Sequence, residues 1–76
     1  MRSRVSLSRI YIALLDEAVD VWRSVQARDL GGGQYEIMGI IPAGERWQFL
    51  PGTRVRCREH RFADGSIGLA AYEVAT

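Results

Sequence analysis

The sequence predicts an all-β fold, a small barrel or sandwich of five or six short strands. β-Branched and aromatic residues crowd its first third, at Ile10, Tyr11, Ile12, Val19, Val21, Trp22 and Val25. These types pack well on a pleated surface and lose rotamer freedom in a helix. Turn residues then break the chain at Gly31-Gly32-Gly33, Pro42-Ala43-Gly44, Pro51-Gly52 and Asp64-Gly65, the spacing of roughly eight to twelve residues that marks small all-β domains. Size completes the case, because 76 residues and 8.5 kDa bury about three-fifths of the unfolded surface. That is enough for one thin core and too little for a deep catalytic cleft.

Taken in order, residues 1–8 alternate Arg and Ser with little apolar content and are expected to form a flexible N-terminal arm. Residues 9–76 are expected to form the single barrel domain. From Arg9 to Leu30 two templates compete. Ile10, Leu14, Ala18, Val21 and Val25 fit a helix over residues 9–29, capped by Ser8 and ended by Gly31, which would make the fold α+β. Alternation at Ile10, Ile12 and Leu14 fits strands instead, with a turn at Asp16-Glu17-Ala18 and a second extended run through Ala27. Composition, and three carboxylates placed mid-segment, favour the strands. Gln34 to Ile41 reads as a strand, and Trp47 with Phe49 as a short amphipathic one. Thr53 to Phe62 and Ile67 to Val74 flank Asp64-Gly65, a strong hairpin signal.

Composition excludes several classes. All ten basic residues are Arg, against nine acidic ones, for a net charge of +1, so a polybasic nucleic-acid tail and a disordered chain are ruled out. One cysteine, Cys57, forms no internal disulfide. The apolar run from Ile10 to Leu15 stops at Asp16-Glu17, short of an export signal or a membrane span. These features predict a cytoplasmic domain.

Tyr11-Ile12-Ala13-Leu14-Leu15-Asp16-Glu17, followed by Val21-Trp22-Arg23-Ser24-Val25-Gln26-Ala27, resembles a group of short, uncharacterised bacterial proteins. These carry a Leu-Asp-Glu-Gly turn and a Val-Trp-Arg-Pro-Val-x-Ala segment. Glu45-Arg46-Trp47-Gln48-Phe49 and Pro51-Gly52-Thr53-Arg54-Val55-Arg56-Cys57 are similar to the group's second half, so the resemblance spans about residues 9–74. It implies an SH3-like β-barrel and supplies no catalytic residues. Ala18 and Ser24 stand where the pattern has Gly and Pro, which weakens the turn of the first hairpin.

Period-two geometry sends Arg54, Arg56, Arg58 and His60 to one face of their strand, and Val55 and Cys57 to the other. Such a row either tracks a phosphate backbone, with Trp22, Trp47 or Tyr72 as stacking surfaces, or is a solvated face that discourages edge aggregation. A two-residue Asp64-Gly65 turn sets Arg56 opposite Glu73, but also His60 beside Leu69 and Arg58 beside Ala71, a conflict that a bulge resolves. Cys57 and His60 point to opposite faces and are too few for a zinc site. Cys57 alternates with Val55 and is expected to be core, not a nucleophile. Asp16, Glu17 and Asp20 lack the ligand spacing of a cation loop, and the glycine run lacks the Lys-Ser/Thr ending of a phosphate loop. No catalytic residue, metal or cofactor is therefore expected. Trp22 and Trp47, with Tyr35 and the neighbouring Arg23 and Arg46, either cap the barrel or form an aromatic–guanidinium patch for recognition. The sequence thus predicts a non-enzymatic binding module, monomeric or paired with a second copy through an edge strand. Its partner is expected to be a protein or, alternatively, nucleic acid at the Arg54–His60 face.

Overall fold

The computed structural model describes residues 7–15 and 21–75. Within them run five strands: β1 (Leu7–Ala13), β2 (Trp22–Gly31), β3 (Gln34–Ile37), β4 (Arg54–Arg61) and β5 (Ile67–Val74). Each pairs antiparallel with the next, and β5 returns to β1 to close a barrel. The fold is all-β, as the residue types predict, and fits a small SH3-like barrel. The helix over residues 9–29 does not form: its flanks belong to β1 and β2, which pair from Leu7↔Arg28 to Ala13↔Trp22. Leu7 and Ser8 of the expected arm are thus in β1. Residues 1–6 and the expected turn at Asp16-Glu17-Ala18, with Asp20, lie outside the described residues. Among those described, no helix is long and apolar enough to cross a membrane.

Alternation builds the core. Ile10 and Ile12 of β1, Val25 and Ala27 of β2, Tyr35 and Ile37 of β3, Val55 of β4 and Ala71 of β5 all turn inward. Each fully buried aliphatic side chain contributes about 1.5–3 kcal/mol relative to exposure. A meander of five antiparallel neighbours leaves β1 and β5 running in the same direction, so the closing contact has to be parallel. It is a single bridge, Tyr11↔Ala70. Further along, the free edge of β1 is taken by the loop between β3 and β4. The Leu15 amide donates to the Arg46 carbonyl (2.7 Å) and the Gln48 amide to the Ala13 carbonyl (2.9 Å), flanking an isolated bridge Leu14↔Trp47. The short strand expected around Trp47 and Phe49 is this bridge. It drops the Trp47 ring into the barrel with Phe49 packed alongside.

Two turns set the registers. Gly31, Gly32 and Gly33 all have φ between 63° and 85°, a left-handed path that only glycine follows without strain, and Asp29 Oδ1 accepts the Gly31 amide at 2.8 Å. The β4–β5 connection differs from the expected two-residue turn. Phe62 donates its amide to Ser66 O (2.8 Å) and Gly65 donates to Phe62 O (2.9 Å). The loop is therefore Ala63-Asp64-Gly65, with Gly65 at φ 90°, a three-residue hairpin with glycine in the left-handed position. Asp64 Oδ1 holds it by accepting from the Ser66 amide and hydroxyl (2.9 and 2.7 Å). The extra residue sets His60 opposite Gly68 and Arg58 opposite Ala70. A register shift between Arg56 and Cys57 then restores Arg56↔Glu73. A bulge is present on the β5 side at Tyr72, but it is the longer turn, not the bulge, that takes Leu69 and Ala71 from opposite His60 and Arg58.

Gly68 lies under the seam. A Cβ there would sit 2.6 Å from Tyr11 Cε1, closer than two unbonded carbons approach, and a tight 3.2 Å from Phe62 Cε2. Gly68→Ala is expected to push both rings off β5 and to cost about 1–3 kcal/mol, as overpacking does. Urea denaturation monitored by Trp fluorescence measures it, and an unchanged midpoint would show that the rings are not held against the strand.

Candidate functional site

The outer face of the seam carries four aromatic side chains from three strands and a turn. Tyr11 alternates with the buried Ile10 and Ile12 and so points outward from β1. Trp22 opens β2, His60 lies near the end of β4, and Phe62 starts the turn. Ring centroids are 4.7 Å apart for Tyr11–Phe62, 4.9 Å for Trp22–His60, 4.8 Å for His60–Phe62 and 5.6 Å for Trp22–Phe62. The last two pairs meet edge to face, an arrangement the ring quadrupole favours. Beside the cluster opens a depression of about 630 Å³, lined by these four residues with Arg61, Ala63, Asp64 and Ser66. The two hydrogen bonds from Ser66 hold the Asp64 carboxyl below the usual carboxylate range, so it is an anion at neutral pH. One wall of the depression is thus aromatic and half-buried, while its rim carries Arg61 and an ionised Asp64.

The sequence-predicted patch is divided by this geometry. Trp47 is only 5% exposed and Tyr35 9%, and both belong to the core, so neither offers a recognition surface. The cause is packing: the loop bridge turns Trp47 inward, and Tyr35 shares the inward face of β3 with Ile37. Burial, with Asp29 and Cys57 nearby, also pushes the Tyr35 hydroxyl up. Arg23 is exposed but donates from Nε to Glu45 Oε1 (3.2 Å) and from Nη2 to Glu45 Oε2. The Trp47 indole N–H donates to the same Glu45 Oε1 at 3.0 Å. Hydrogen bonds from Arg23 and then Trp47 hold the Glu45 carboxyl low, and Glu45 in turn raises Arg23. This trio ties the β3–β4 loop to β2 and is structural. Arg46 lies beside it in the same loop, exposed. Trp22 alone of the three aromatics in that patch lines the depression, where it meets His60 of the β4 row.

The Arg54–His60 row lies on the outward face, opposite the buried Val55. Arg56 Nη1 pairs with Glu73 Oε2 at 2.7 Å, the cross-strand partner expected for it. The Arg58 guanidinium lies 4.4 Å over the Tyr72 ring, and His60 is inside the aromatic cluster. Arg54 is exposed, with its carbonyl accepting from the Ala75 amide. Tyr11 and Phe62 had no place in the predicted site. Tyr11 was legible from its parity against Ile10 and Ile12, whereas its meeting with Phe62 depends on the closing of the barrel.

Among the described residues no group of three or more His, Cys, Asp or Glu side chains is placed to hold a metal ion. No family model, curated protein or solved structure matches the chain. Cys57 packs against the core, and burial pushes its thiol up to about 11. At neutral pH it is therefore a thiol, and the thiolate is the reactive form. Alkylation of Cys57 by iodoacetamide at pH 7.5 is expected to run at least tenfold slower than for an exposed cysteine peptide, accelerating when urea opens the barrel. A native rate equal to the peptide's would contradict its half-buried place against the core.

Proposed function

We propose that this chain is a small, non-enzymatic binding module whose protein partner docks in the depression beside Trp22, His60 and Phe62. The observation that carries this function is the half-buried aromatic wall lining the depression, with opposite charges, Arg61 and Asp64, on its rim. Aromatic side chains supply large contact area at low entropic cost and dominate recognition surfaces. An extended peptide suits a shallow site on a small barrel, because aromatic grooves take pre-extended segments with little ordering cost. An apolar side chain fills the depression, and flanking charges of the peptide meet Arg61 and Asp64. A bacterial origin rests on the resemblance of the Leu-Asp-Glu and Val-Trp-Arg segments, and a cytoplasmic setting on the lone thiol of Cys57.

A second function is favoured by the row on β4. Arg54, Arg58 and His60 share a face with Tyr72 and Trp22, which is the layout of a groove that tracks a single strand and stacks its bases. The Glu73 carboxylate neutralises Arg56, which leaves the row with less positive charge than the sequence suggests.

One titration series separates them. Peptides selected from a displayed library against the intact chain are expected to shift Trp22 fluorescence. Trp22→Ala should weaken them at least tenfold, the scale of a recognition hot spot, while circular dichroism stays all-β. Peptides that bind Trp22→Ala undiminished would remove the depression as the site. A single-stranded oligonucleotide that binds at low salt, with affinity falling steeply as salt rises, would establish the second function in its place.

A further inference from the structure

We propose that two copies of this chain pair through the exposed outer edges of β4, in one register fixed by charge. The hydrogen-bonding direction of each β4 residue follows from two observed bonds. The Phe62 amide donates to Ser66 O of the hairpin, and the Cys57 amide donates away from β5, to Gly33 O at 3.0 Å. Alternation then turns the backbone groups of Arg58 and His60 toward β5, and those of Glu59 and Arg61 toward the β3 side. β3, however, pairs with β4 only at Arg54, Val55 and Arg56, and the bond from Cys57 to Gly33, in the turn before β3, is the last on that side. Among the described residues no strand continues to meet Glu59 and Arg61. Their N–H and C=O groups form an open edge of the kind that accepts another strand.

A second copy fits this edge antiparallel about a two-fold axis, and backbone geometry limits the registers. Residues whose groups point outward must face one another, so the axis passes through a residue and not between two. Centred on Glu59, the pairing sets Glu59 against its own copy. Centred on Arg61, it sets Arg61 against its own copy. Both place like charges directly opposite, which is destabilising. Centred on His60, it sets Glu59 opposite the second copy's Arg61, twice, with reciprocal backbone hydrogen bonds at both pairs. Arg58 then stands opposite the second copy's Phe62, and His60 opposite its own copy. Glu59 and Arg61 are exposed and form no ion pair among the described residues, so each is available across the axis. The net charge of +1 offers little long-range repulsion between copies. The contact is isologous and closes at two copies, because the two-fold axis pairs the same stretch of edge on both. It also brings the two aromatic depressions to the same side of a continuous sheet.

Sedimentation equilibrium of the full chain over a concentration series tests the pairing. A monomer–dimer equilibrium is expected. Glu59→Arg alone and Arg61→Glu alone should each weaken it roughly tenfold or more, because both cross-axis pairs become repulsive. An equimolar mixture of the two variants should recover the dimer, because each charged position then meets its opposite. Circular dichroism of the variants confirms that they stay folded. A monomer at every concentration would overturn the proposal, as would a dimer that neither substitution weakens. A chain that dimerises only after removal of residues 1–6 would assign the edge to that arm and overturn it equally.

Discussion

The parallel contact between β1 and β5 is the constraint on which the rest of the structure depends. Five strands in an antiparallel meander bring their ends together running the same way, and here backbone pairing supplies one bridge, Tyr11↔Ala70. Two side-chain assemblies reinforce it from opposite sides. Inside, Trp47 enters from the β3–β4 loop, held through its indole N–H by Glu45, which also binds Arg23. Outside, Tyr11, Trp22, His60 and Phe62 span the join between the β1–β2 hairpin and the β4–β5 hairpin. Aromatic pairs contribute about 0.5–1.5 kcal/mol each beyond their buried area. The outer cluster therefore supplies stabilisation on the scale of several backbone hydrogen bonds.

Much of this was legible in the residues. Alternation at Ile10 and Ile12, the glycine run, and Val55 facing away from its arginine neighbours follow from period two and from turn chemistry, which are local. Two features were not legible. The three-residue turn at Ala63-Asp64-Gly65 offers the same Asp-Gly signal as a two-residue turn, yet moves the strand by one residue. In a sheet one residue decides which neighbours meet. That shift sets Gly68, not Leu69, beside His60 and makes room for the rings of Tyr11 and Phe62. The second is the fate of the aromatics. Trp22 and Trp47 look alike in sequence, each beside an arginine. Which one turns inward is decided by the pairing of Leu14 with Trp47, a contact between segments far apart in the chain. Tyr35 was open to a parity argument, because it shares a face with Ile37.

The same cluster closes the barrel and presents its aromatic wall to solvent. A small domain has little interior to spare, so a recognition surface is most readily made from side chains that already hold the fold together. Arg56 and Glu73, Arg58 and Tyr72, and Arg23 and Glu45 show the arginines acting largely as partners within the barrel. The charges left exposed at the end of β4, Glu59 and Arg61, stand where the sheet is unfinished. Fold stability and surface chemistry are thus coupled at one end of the molecule. Substitutions there are expected to alter both, and a stability readout has to accompany any binding measurement.

A double-mutant cycle on Tyr11 and Phe62 tests most directly whether the outer cluster holds the seam. Tyr11→Leu, Phe62→Leu and the double variant would each be unfolded in urea. If the rings clasp β1 to the β4–β5 hairpin, the two losses are coupled by about 0.5–1.5 kcal/mol. Strictly additive losses would contradict a seam held by these rings and leave its closure to the backbone bridge and Trp47.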